Sequence, residues 1–390
     1  MLSRPLTLAR ALTFLVALVA VFAAPAIAQS SGSAPVARAY ISTPLAVEGF
    51  AVAADGRLTP LPGSPYPGIS LTHMSAAKGY LFGSGKDANT VYSFTIRSDG
   101  SLALNDVVDA GLYDQCSKMI STQVDRAGST LYVMEIGCNG ESAYNIQAYA
   151  ISSKGTLQFL GNIGEGGPSI QETGPSQLYF TGNNEYAYQL QCLTPPPLDD
   201  VVWGWKRNSS GYLDPAPKGF EVNGSLEETI SMCYLTTDDF NHIAIAMKRW
   251  DYDDGGYVYD GYAKVDSMTV ESDGTLSSTH GFDVRGIDLA NGDVTAMSIS
   301  PAGNLLAVGG MGFQIYHFNG GNPIEYYTQS VLQPNNQFEE FGWDQSNHLF
   351  ALSTDGVRVY NITPASYSEA PGSPLEIPGG TTSIIVTSLE

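Results

Sequence analysis

A phrase of about twelve residues recurs seven times along this chain, and it limits the possible folds more than any other feature of the sequence. Alternating aromatic and β-branched residues lead to a polar turn, and Gly-x-Leu or a near relative follows. Five copies are close: Val47–Leu58, Val91–Leu102, Ile146–Leu157, Val202–Leu213 and Val265–Leu276. Two copies are looser: Phe313–Ile324 and Val357–Ser368. Seven copies predict seven structural units of one kind.

Each phrase is typical of two β-strands joined by a tight turn, because alternation with period two marks a half-buried strand. Two further strands precede most phrases, as in Lys118–Gly137 and Val294–Gly310, where a glycine-containing turn joins them. The copies are spaced roughly 44 to 63 residues apart, which suits one four-stranded blade each. The sequence therefore predicts an all-β, seven-bladed β-propeller with almost no helix.

The two ends of the chain complement each other in this prediction. Only one strand, Ala37–Thr43, precedes the first phrase, and a spare strand, Thr381–Leu389, follows the last one. Pairing the C-terminal strand with the N-terminal strands closes the ring and leaves no exposed sheet edge at the seam. We therefore predict a single propeller over residues 37–390. A pair of β-sandwiches or a six-bladed ring each leaves one repeat unexplained.

The first 28 residues are typical of a secretory signal peptide. Arg4 and Arg10 precede an apolar run, Ala11–Ala24, and Ala26-Ile27-Ala28 forms a small-residue cleavage site. We expect a periplasmic or extracellular protein with no membrane span in its mature part.

The net charge excludes two classes of partner. The formal charge is −21, and removal of a leader containing two arginines takes it to about −23. Such a surface repels nucleic acid and anionic lipid. We expect a monomer whose partners are neither nucleic acids nor membranes.

Four cysteines in an exported chain predict two disulfides, for which the sequence alone allows three connectivities. In the blade map all four fall toward one face of the ring, each near the start or end of a strand. We predict Cys116–Cys138 and Cys192–Cys233, with a structural role.

Two segments are predicted as long loops on that face, where ligands are commonly bound in such rings. The first, Arg249–Lys264, is acidic and aromatic. Its aspartates are candidate Ca²⁺ ligands, although their spacing differs from the twelve-residue calcium loop and a solvated loop is the alternative: Asp251, Asp253, Asp254 and Asp260. Its aromatic residues are candidate contacts for a glycan or a protein: Trp250, Tyr252, Tyr257 and Tyr259. The second loop, Leu193–Trp205, adds Trp203.

The repeat phrase, together with Leu61–Pro67, Ala370–Ile377 and the turn Ser300–Gly303, resembles seven-bladed propellers of the 6-phosphogluconolactonase-like and YVTN-repeat types. The resemblance implies the propeller fold over the whole mature chain. In the lactonase family, Gly-Pro-Arg-His commonly opens an inner strand and places basic side chains at the mouth of the ring. Ser176 and Gln177 stand in those two places here, and both are candidate ligand contacts.

The replaced motif bears on activity, since lactone opening needs a base or metal to activate water and a group that stabilises the oxyanion. His73 lies at the start of an inner strand, and Glu339 and Glu340 precede another, so all three are placed near the ring mouth. Acidic residues there favour neutral or cationic ligands over phosphorylated sugars. No convergent set of His, Arg and Glu emerges from the sequence. The sequence favours a non-catalytic propeller that binds a protein or glycan partner; the alternative is a lactone hydrolase or a related lyase.

Overall fold

The computed structural model describes most of the chain after residue 33. The described residues are 34–85, 89–111, 118–136, 145–163, 177–190, 201–216, 220–221, 229–253, 256–279, 285–287, 289–353 and 355–389. They form 31 β-strands and no helix. Within this part of the chain, no helix has the length and apolar character that crossing a membrane requires. The predicted signal peptide, residues 1–28, lies outside the described residues.

The strands of the first half of the chain are short, mostly of two to eight residues. They are β1 (Ala37–Ser42), β2 (Ala46–Val52), β3 (Leu58–Pro60), β4 (Tyr66–Pro67), β5 (Leu71–Ala77), β6 (Tyr80–Gly85), β7 (Thr90–Ile96), β8 (Leu102–Asp109), β9 (Lys118–Val124), β10 (Thr130–Ile136), β11 (Asn145–Ile151), β12 (Leu157–Ile163), β13 (Tyr179–Phe180), β14 (Tyr186–Leu190), β15 (Val201–Arg207), β16 (Leu213–Pro215) and β17 (Phe220–Glu221).

The second half contains several longer strands. They are β18 (Thr229–Thr237), β19 (His242–Asp253), β20 (Gly256–Val270), β21 (Leu276–Ser277), β22 (Arg285–Ile287), β23 (Ala290–Ile299), β24 (Leu305–His317), β25 (Glu325–Tyr326), β26 (Leu332–Trp343), β27 (His348–Ser353), β28 (Gly356–Ile362), β29 (Tyr367–Glu369), β30 (Leu375–Glu376) and β31 (Ser383–Ser388).

These strands form six antiparallel sheets in which consecutive strands lie side by side, the arrangement of a β-propeller. Four sheets follow the chain directly: β5 to β8, β9 to β12, β13 to β16, and β18 to β21. A fifth has the order β3-β2-β1-β31. The sixth has eight strands, with the main order β23-β24-β26-β27-β28-β29. Buried side chains from neighbouring sheets pack together, for example Tyr188 and Leu190 of β14 with Leu235 of β18 and Ile245 of β19.

The ring is closed as the spare C-terminal strand predicted. Strand β31 pairs antiparallel with β1 along its whole length, from Ser383 opposite Ser42 to Ser388 opposite Ala37. Because β1 also pairs with β2, the innermost strand of this sheet comes from the C-terminal segment and the other strands come from the N-terminal segment.

Strand β24 doubles back on itself. The backbone N–H of Phe318, just after the strand, donates to the carbonyl of Asn304, just before it, at 3.0 Å. Thirteen extended residues would span about 43 Å, so the strand must reverse between these points. Gly312, with φ of +85°, lies near the middle of the strand. Strand β24 therefore supplies two adjacent strands of its sheet.

The repeated phrase contains the turn before the outermost strand, and in four copies its glycine contacts the preceding sheet. Hydroxyl groups of one sheet donate to the carbonyl of this glycine in the following sheet: Tyr40 to Gly100 at 2.8 Å, Ser93 to Gly155 at 2.7 Å, Tyr132 to Gly211 at 2.6 Å and Tyr188 to Gly274 at 2.7 Å. Burial raises the pKa of Tyr132 to about 12, as expected for a phenol that stays protonated in the core. The repeat thus encodes the contact between sheets.

The two Pro-Gly-Ser-Pro segments also have equivalent roles. The Ser64 hydroxyl accepts a hydrogen bond from the N–H of Gly49 at 2.9 Å, and the Ser373 hydroxyl accepts one from Val359 at 3.0 Å. In each case the outer strand is interrupted, and the serine satisfies a donor of the neighbouring strand. Strands β4 and β30 then resume the pairing.

Candidate functional site in the central channel

The innermost strands surround a polar channel with two connected cavities. The larger has a volume of about 390 Å³ and the smaller about 170 Å³. Six residues line both cavities: Gln177, Tyr179, Thr236, Ser298, Glu340 and Phe341. These residues lie on or beside four innermost strands, β13, β18, β23 and β26, so the two cavities are parts of one channel.

Five innermost strands carry a β-bulge at the same place. In each, one residue is left unpaired while its neighbours pair with the second strand: His73, Ile120, Cys233, Thr295 and Glu339. Each lies five residues before the residue that begins the following turn, as His73 does before Lys78. Bulges redirect side chains and are common beside active sites. Three of the five residues, His73, Thr295 and Glu339, line the smaller cavity.

His73 adopts a left-handed backbone conformation, with φ of +32°, which is uncommon for a residue other than glycine. Its Nδ1 atom lies 3.2 Å from Nε2 of Gln177, although the two residues are 104 positions apart. In this orientation the amide N–H donates to Nδ1, which leaves the imidazole proton on Nε2. Burial lowers the pKa of His73, so the ring is neutral at pH 7.

Glu340 follows the bulge of β26 and faces the same cavity. Its Oε2 atom accepts a hydrogen bond from the backbone N–H of Ile384 at 2.8 Å. Burial raises the pKa of Glu340 from 4.5 to about 7, and the charge of Glu339 adds to this, while hydrogen bonds from Ile384 and Ser383 oppose it. Both the acid and the base forms of this carboxyl group are therefore populated near neutral pH.

Two tyrosines lie close to this carboxylate. Burial raises the pKa of Tyr179 well above its usual value, and the charges of Tyr234 and Glu340 add to the effect. Both rings line the smaller cavity. Thr295, on the neighbouring strand β23, accepts a hydrogen bond from Gln337 of β26 at 2.9 Å. Among the described residues, no lysine or arginine lines this cavity.

Arg126 is the one arginine among the described residues that line the larger cavity, and its side chain is held by several partners. It donates to Asp239 at 2.5 Å, to Thr237 at 3.1 Å, and to the carbonyls of Asp238 at 2.9 Å and Phe180 at 3.1 Å. Because the guanidinium is already neutralised and hydrogen-bonded, Arg126 acts as a structural link between three sheets.

The structure brings together four of the residues that the sequence placed at the mouth. Gln177 contacts His73, and Glu339 and Glu340 line the same cavity. The two glutamates lie within β26, whereas they were predicted to precede the strand. Tyr234 and Thr295 were missed. The constant offset of five residues before each turn identifies the bulge positions, and the same offset from Thr181 leads to Ser176, which lies outside the described residues.

Three of the histidines have structural partners. The Nδ1 atoms of His242 and His348 each lie 2.6 Å from a carboxylate, of Asp238 and Asp344 respectively. His317 packs edge-on against Tyr327. His280 lies outside the described residues.

The prediction of a loop over Leu193–Trp205 was wrong at its C-terminal end, where residues 201–207 form strand β15. Trp203 therefore lies on the third strand of its sheet, opposite Gln189, and away from the channel. Its indole nitrogen is buried without a hydrogen-bond partner among the described residues. Trp203 does not join His73 and Gln177.

The prediction of a loop over Arg249–Lys264 was also wrong, because β19 and β20 extend through it as a β-hairpin. The register pairs Trp250 with Tyr259 and Tyr252 with Tyr257. Asp and Gly, which are frequent in this segment, are typical of loops, whereas its alternating aromatic residues fit the observed strands. Asp251, Asp253 and Asp260 lie in the two strands, and Asp254 lies outside the described residues, so the Ca²⁺ site remains a prediction.

The disulfides also remain a prediction. Cys116, Cys138 and Cys192 lie outside the described residues, and Cys233 is the bulge residue of β18. Within the described part of the chain, no three His, Cys, Asp or Glu side chains are grouped as metal ligands.

The fold and its central channel define the class of this protein, an all-β propeller. No protein-family model matches the chain, and no curated protein sequence gives a significant match. The structure is similar to that of the periplasmic gluconolactonase PpgL of Pseudomonas aeruginosa, with a TM-score of 0.60 and 13% identity over 91% of this chain and 100% of that chain.

Two putative 6-phosphogluconolactonases are also similar. The protein from Bacteroides uniformis ATCC 8492 has a TM-score of 0.58 and 12% identity, over 90% of this chain and all of its own. The protein from Bacteroides fragilis NCTC 9343 has a TM-score of 0.57 and 13% identity, over 91% and 98%. At such identities the likeness establishes a shared lactonase-like propeller fold and leaves the chemistry to be argued from the site.

Proposed function

We propose that this protein is a lactone hydrolase of the 6-phosphogluconolactonase-like type, acting on an unphosphorylated sugar lactone in the central channel. One observation carries the proposal: His73 and Glu340 line the same cavity. Burial lowers the pKa of His73 and raises the pKa of Glu340, and both shifts favour the neutral form of the side chain. Groups with such perturbed pKa values in a concave site are candidates for acid–base catalysis.

The roles of the two residues follow from their protonation. Glu340, with a pKa of about 7, can accept a proton from water as that water attacks the lactone carbonyl. His73 presents a neutral imidazole whose Nε2–H can donate to the oxyanion that develops. Gln177 would hold the ring in this tautomer. The proton taken by Glu340 would then pass to the alkoxide that leaves when the ring opens.

The charge of the cavity supports an unphosphorylated substrate. A phosphate group needs cationic partners, and the described lining of the smaller cavity has Glu339 and Glu340 but neither lysine nor arginine. Arg126, farther along the channel, is already engaged by Asp239. Two of the similar proteins are putative 6-phosphogluconolactonases, whereas PpgL is a gluconolactonase; the cavity fits an unphosphorylated lactone better.

The finer features of the fold belong to the same proposal. We infer seven blades, since β24 supplies two strands and the eight-stranded sheet then divides into two four-stranded blades beside the other five sheets. We also infer that Ser176 and Gln177 replace the Arg and His of the lactonase family's Gly-Pro-Arg-His motif. Export to the periplasm is supported by the leader sequence and by the periplasmic PpgL.

A second function is favoured by a separate observation. The hairpin of β19 and β20 is longer than its counterparts, with 12 and 15 residues, and its register pairs Trp250 with Tyr259 and Tyr252 with Tyr257. Paired aromatic positions of this kind suit stacking on sugar rings or packing against a protein. The hairpin is thus the place where a non-catalytic partner, protein or glycan, would bind.

The test is hydrolysis of glucono-δ-lactone by the exported form of the chain, followed by titration of the acid released. We expect turnover above the spontaneous rate, and a loss on the order of 10²- to 10⁴-fold in Glu340→Gln and His73→Asn. Glu376→Gln, an exposed glutamate on β30, and His317→Asn are the matched controls and should retain full activity. Equal rates in the enzyme and in buffer would overturn the proposal and leave the binding function.

A further inference from the structure

A further cavity, separate from the two cavities of the channel, lies on the face of the ring where the inner strands end. It is lined by three cationic residues. Its volume is about 370 Å³, and Arg38, Lys78 and Arg97 line it together with Ser98 and Thr387. The whole chain has 18 lysines and arginines and a net charge of −21, so three basic residues in one cavity are unexpected. We propose that this basic cavity binds a small soluble oxyanion, a carboxylate or a phosphate.

The three cations are available to a ligand. None of them forms an ion pair with a described side chain. Arg38 donates to the carbonyl of Ser98 at 2.5 Å, and Arg97 makes a long hydrogen bond of 3.4 Å to the Ser101 hydroxyl. None of the described residues that line the cavity is acidic, and the carboxylate of nearby Asp99 accepts hydrogen bonds from Ser101 and interacts with the charge of Arg97. One carboxylate against three cations leaves a net positive cavity.

Lys78 occupies an unfavourable backbone position. Ala77 pairs with Tyr80, so Lys78 and Gly79 form a two-residue turn, with φ of +49° and +75°. Asn-Gly or Gly-Gly suits such a turn, and a lysine there holds a strained backbone conformation. Strained residues of this kind concentrate at functional sites. Lys78 and Gly79 of this turn both line the cavity.

A hydroxyl group provides an independent observation. The Oγ1 atom of Thr387, on β31, is buried and has no hydrogen-bond partner among the described residues. Thr387 lines the cavity, and Ser98 and Ser388 line it with further hydroxyls. The Thr387 oxygen is shielded from solvent, so the hydroxyl groups that a ligand in the cavity can reach are those of Ser98 and Ser388, which are exposed. An oxyanion supplies acceptors and negative charge together.

The position of the cavity favours a soluble ligand. Val386 and Ser388 line both this cavity and the larger cavity of the channel, so the two open side by side. The strongly negative net charge of the protein opposes contact with an anionic lipid surface. A small anion diffuses into the cavity without bringing such a surface near. The site does not depend on the proposed hydrolase activity.

Calorimetric titration of the exported chain at low salt tests the site, with sodium phosphate and sodium gluconate as probes. We expect one saturable site for at least one probe, with Kd weakened at least tenfold in Lys78→Gly and Arg97→Gln. Lys78→Gly relieves the backbone strain, so this variant keeps the test valid if Arg97→Gln fails to fold. Arg57→Gln, which removes an exposed arginine elsewhere, should leave Kd unchanged.

Absence of saturable binding by both probes would overturn the proposal, as would equal weakening by Arg57→Gln. Gluconate binding that responds to Glu340→Gln but not to Lys78→Gly would place the anion in the channel and also overturn it. Sedimentation with vesicles containing phosphatidic acid distinguishes the source: binding to these vesicles without binding to free phosphate would contradict a soluble ligand.

Discussion

The Oε2 atom of Glu340 lies 2.8 Å from the backbone nitrogen of Ile384, and this hydrogen bond joins β26 to the strand that closes the ring. Ser383, the neighbour of Ile384, bonds to the same carboxyl group and also accepts the N–H of Met74 on β5 at 3.0 Å. The carboxyl group of the proposed catalytic residue Glu340 thus links three innermost strands: β26, β31 and, through Ser383, β5.

The pH dependence of hydrolysis follows from this environment. Glu340 acts in its ionised form, so kcat/KM should fall about tenfold per pH unit below about pH 7 and level off above it. The measurement is the initial rate of lactone hydrolysis between pH 5 and 8, corrected for the spontaneous reaction. A rate that stays level down to pH 5, as expected for a carboxyl group with the ordinary pKa of 4.5, would contradict the assignment of Glu340 as the base.

The same pKa predicts a change in stability. The folded state raises the pKa of Glu340 from 4.5 to about 7. The contribution of this group to the free energy of unfolding is therefore fully present below pH 4.5 and is lost as pH rises through 7. Glu340→Gln cannot ionise. The Tm of this variant relative to the parent protein should therefore increase between pH 5 and pH 8. Glu376→Gln, on the surface, should show no such trend in the same thermal melts.

Arg126 should contribute to stability through its links between sheets. Arg126→Met leaves the carbonyls of Phe180 and Asp238 without their donor, and we expect a loss of about 1–3 kcal/mol in the free energy of unfolding. Arg57→Met removes an exposed pair with Asp55 and should change it by less than about 1 kcal/mol. Urea denaturation of the two variants compares them, and equal losses would show that Arg126 makes no special link.

The glycine of the repeat phrase should be needed for packing as well as for its backbone conformation. Gly274 has φ of +85°, and a Cβ atom there would lie 2.5 Å from the ring of Tyr186. Gly372 has φ of +83° with nothing within 4 Å of that position. Both alanine variants lose about 1–2 kcal/mol from the left-handed backbone, and Gly274→Ala should lose a further 1–3 kcal/mol or so from overpacking. Equal denaturation midpoints would mean that Tyr186 moves freely aside.

Much of the fold was predictable because the repeat phrase contains the residues that form the turn and the contact between neighbouring sheets. In four copies the glycine of the phrase permits the turn and its carbonyl also accepts a hydrogen bond from a hydroxyl of a neighbouring sheet, as Gly100 does from Tyr40. The unmatched end strands then required the closure seen between β1 and β31. The extension of β19 and β20 was not recognised, since the Asp and Gly residues around Tyr252 and Tyr257 are also typical of loops.

The candidate site was harder to predict because its contacts are distant in sequence. Gln177 and His73 meet across 104 positions, and no local pattern indicates such a pair. The bulges at His73, Thr295 and Glu339 also interrupt the alternation by which inward and outward residues are told apart. The residues were therefore placed near the mouth, while their convergence became visible only in the structure.

The pairing of β31 with β1 also constrains how this protein is made. Residues 383–388 are synthesised after every other strand, so the ring stays open during translation and, for an exported chain, during passage through the membrane. Until then the edge of β1 is unprotected and can pair with the wrong partner. Removing those few residues, or attaching a bulky fusion directly to them, would leave a nearly complete chain with a gap in its first sheet.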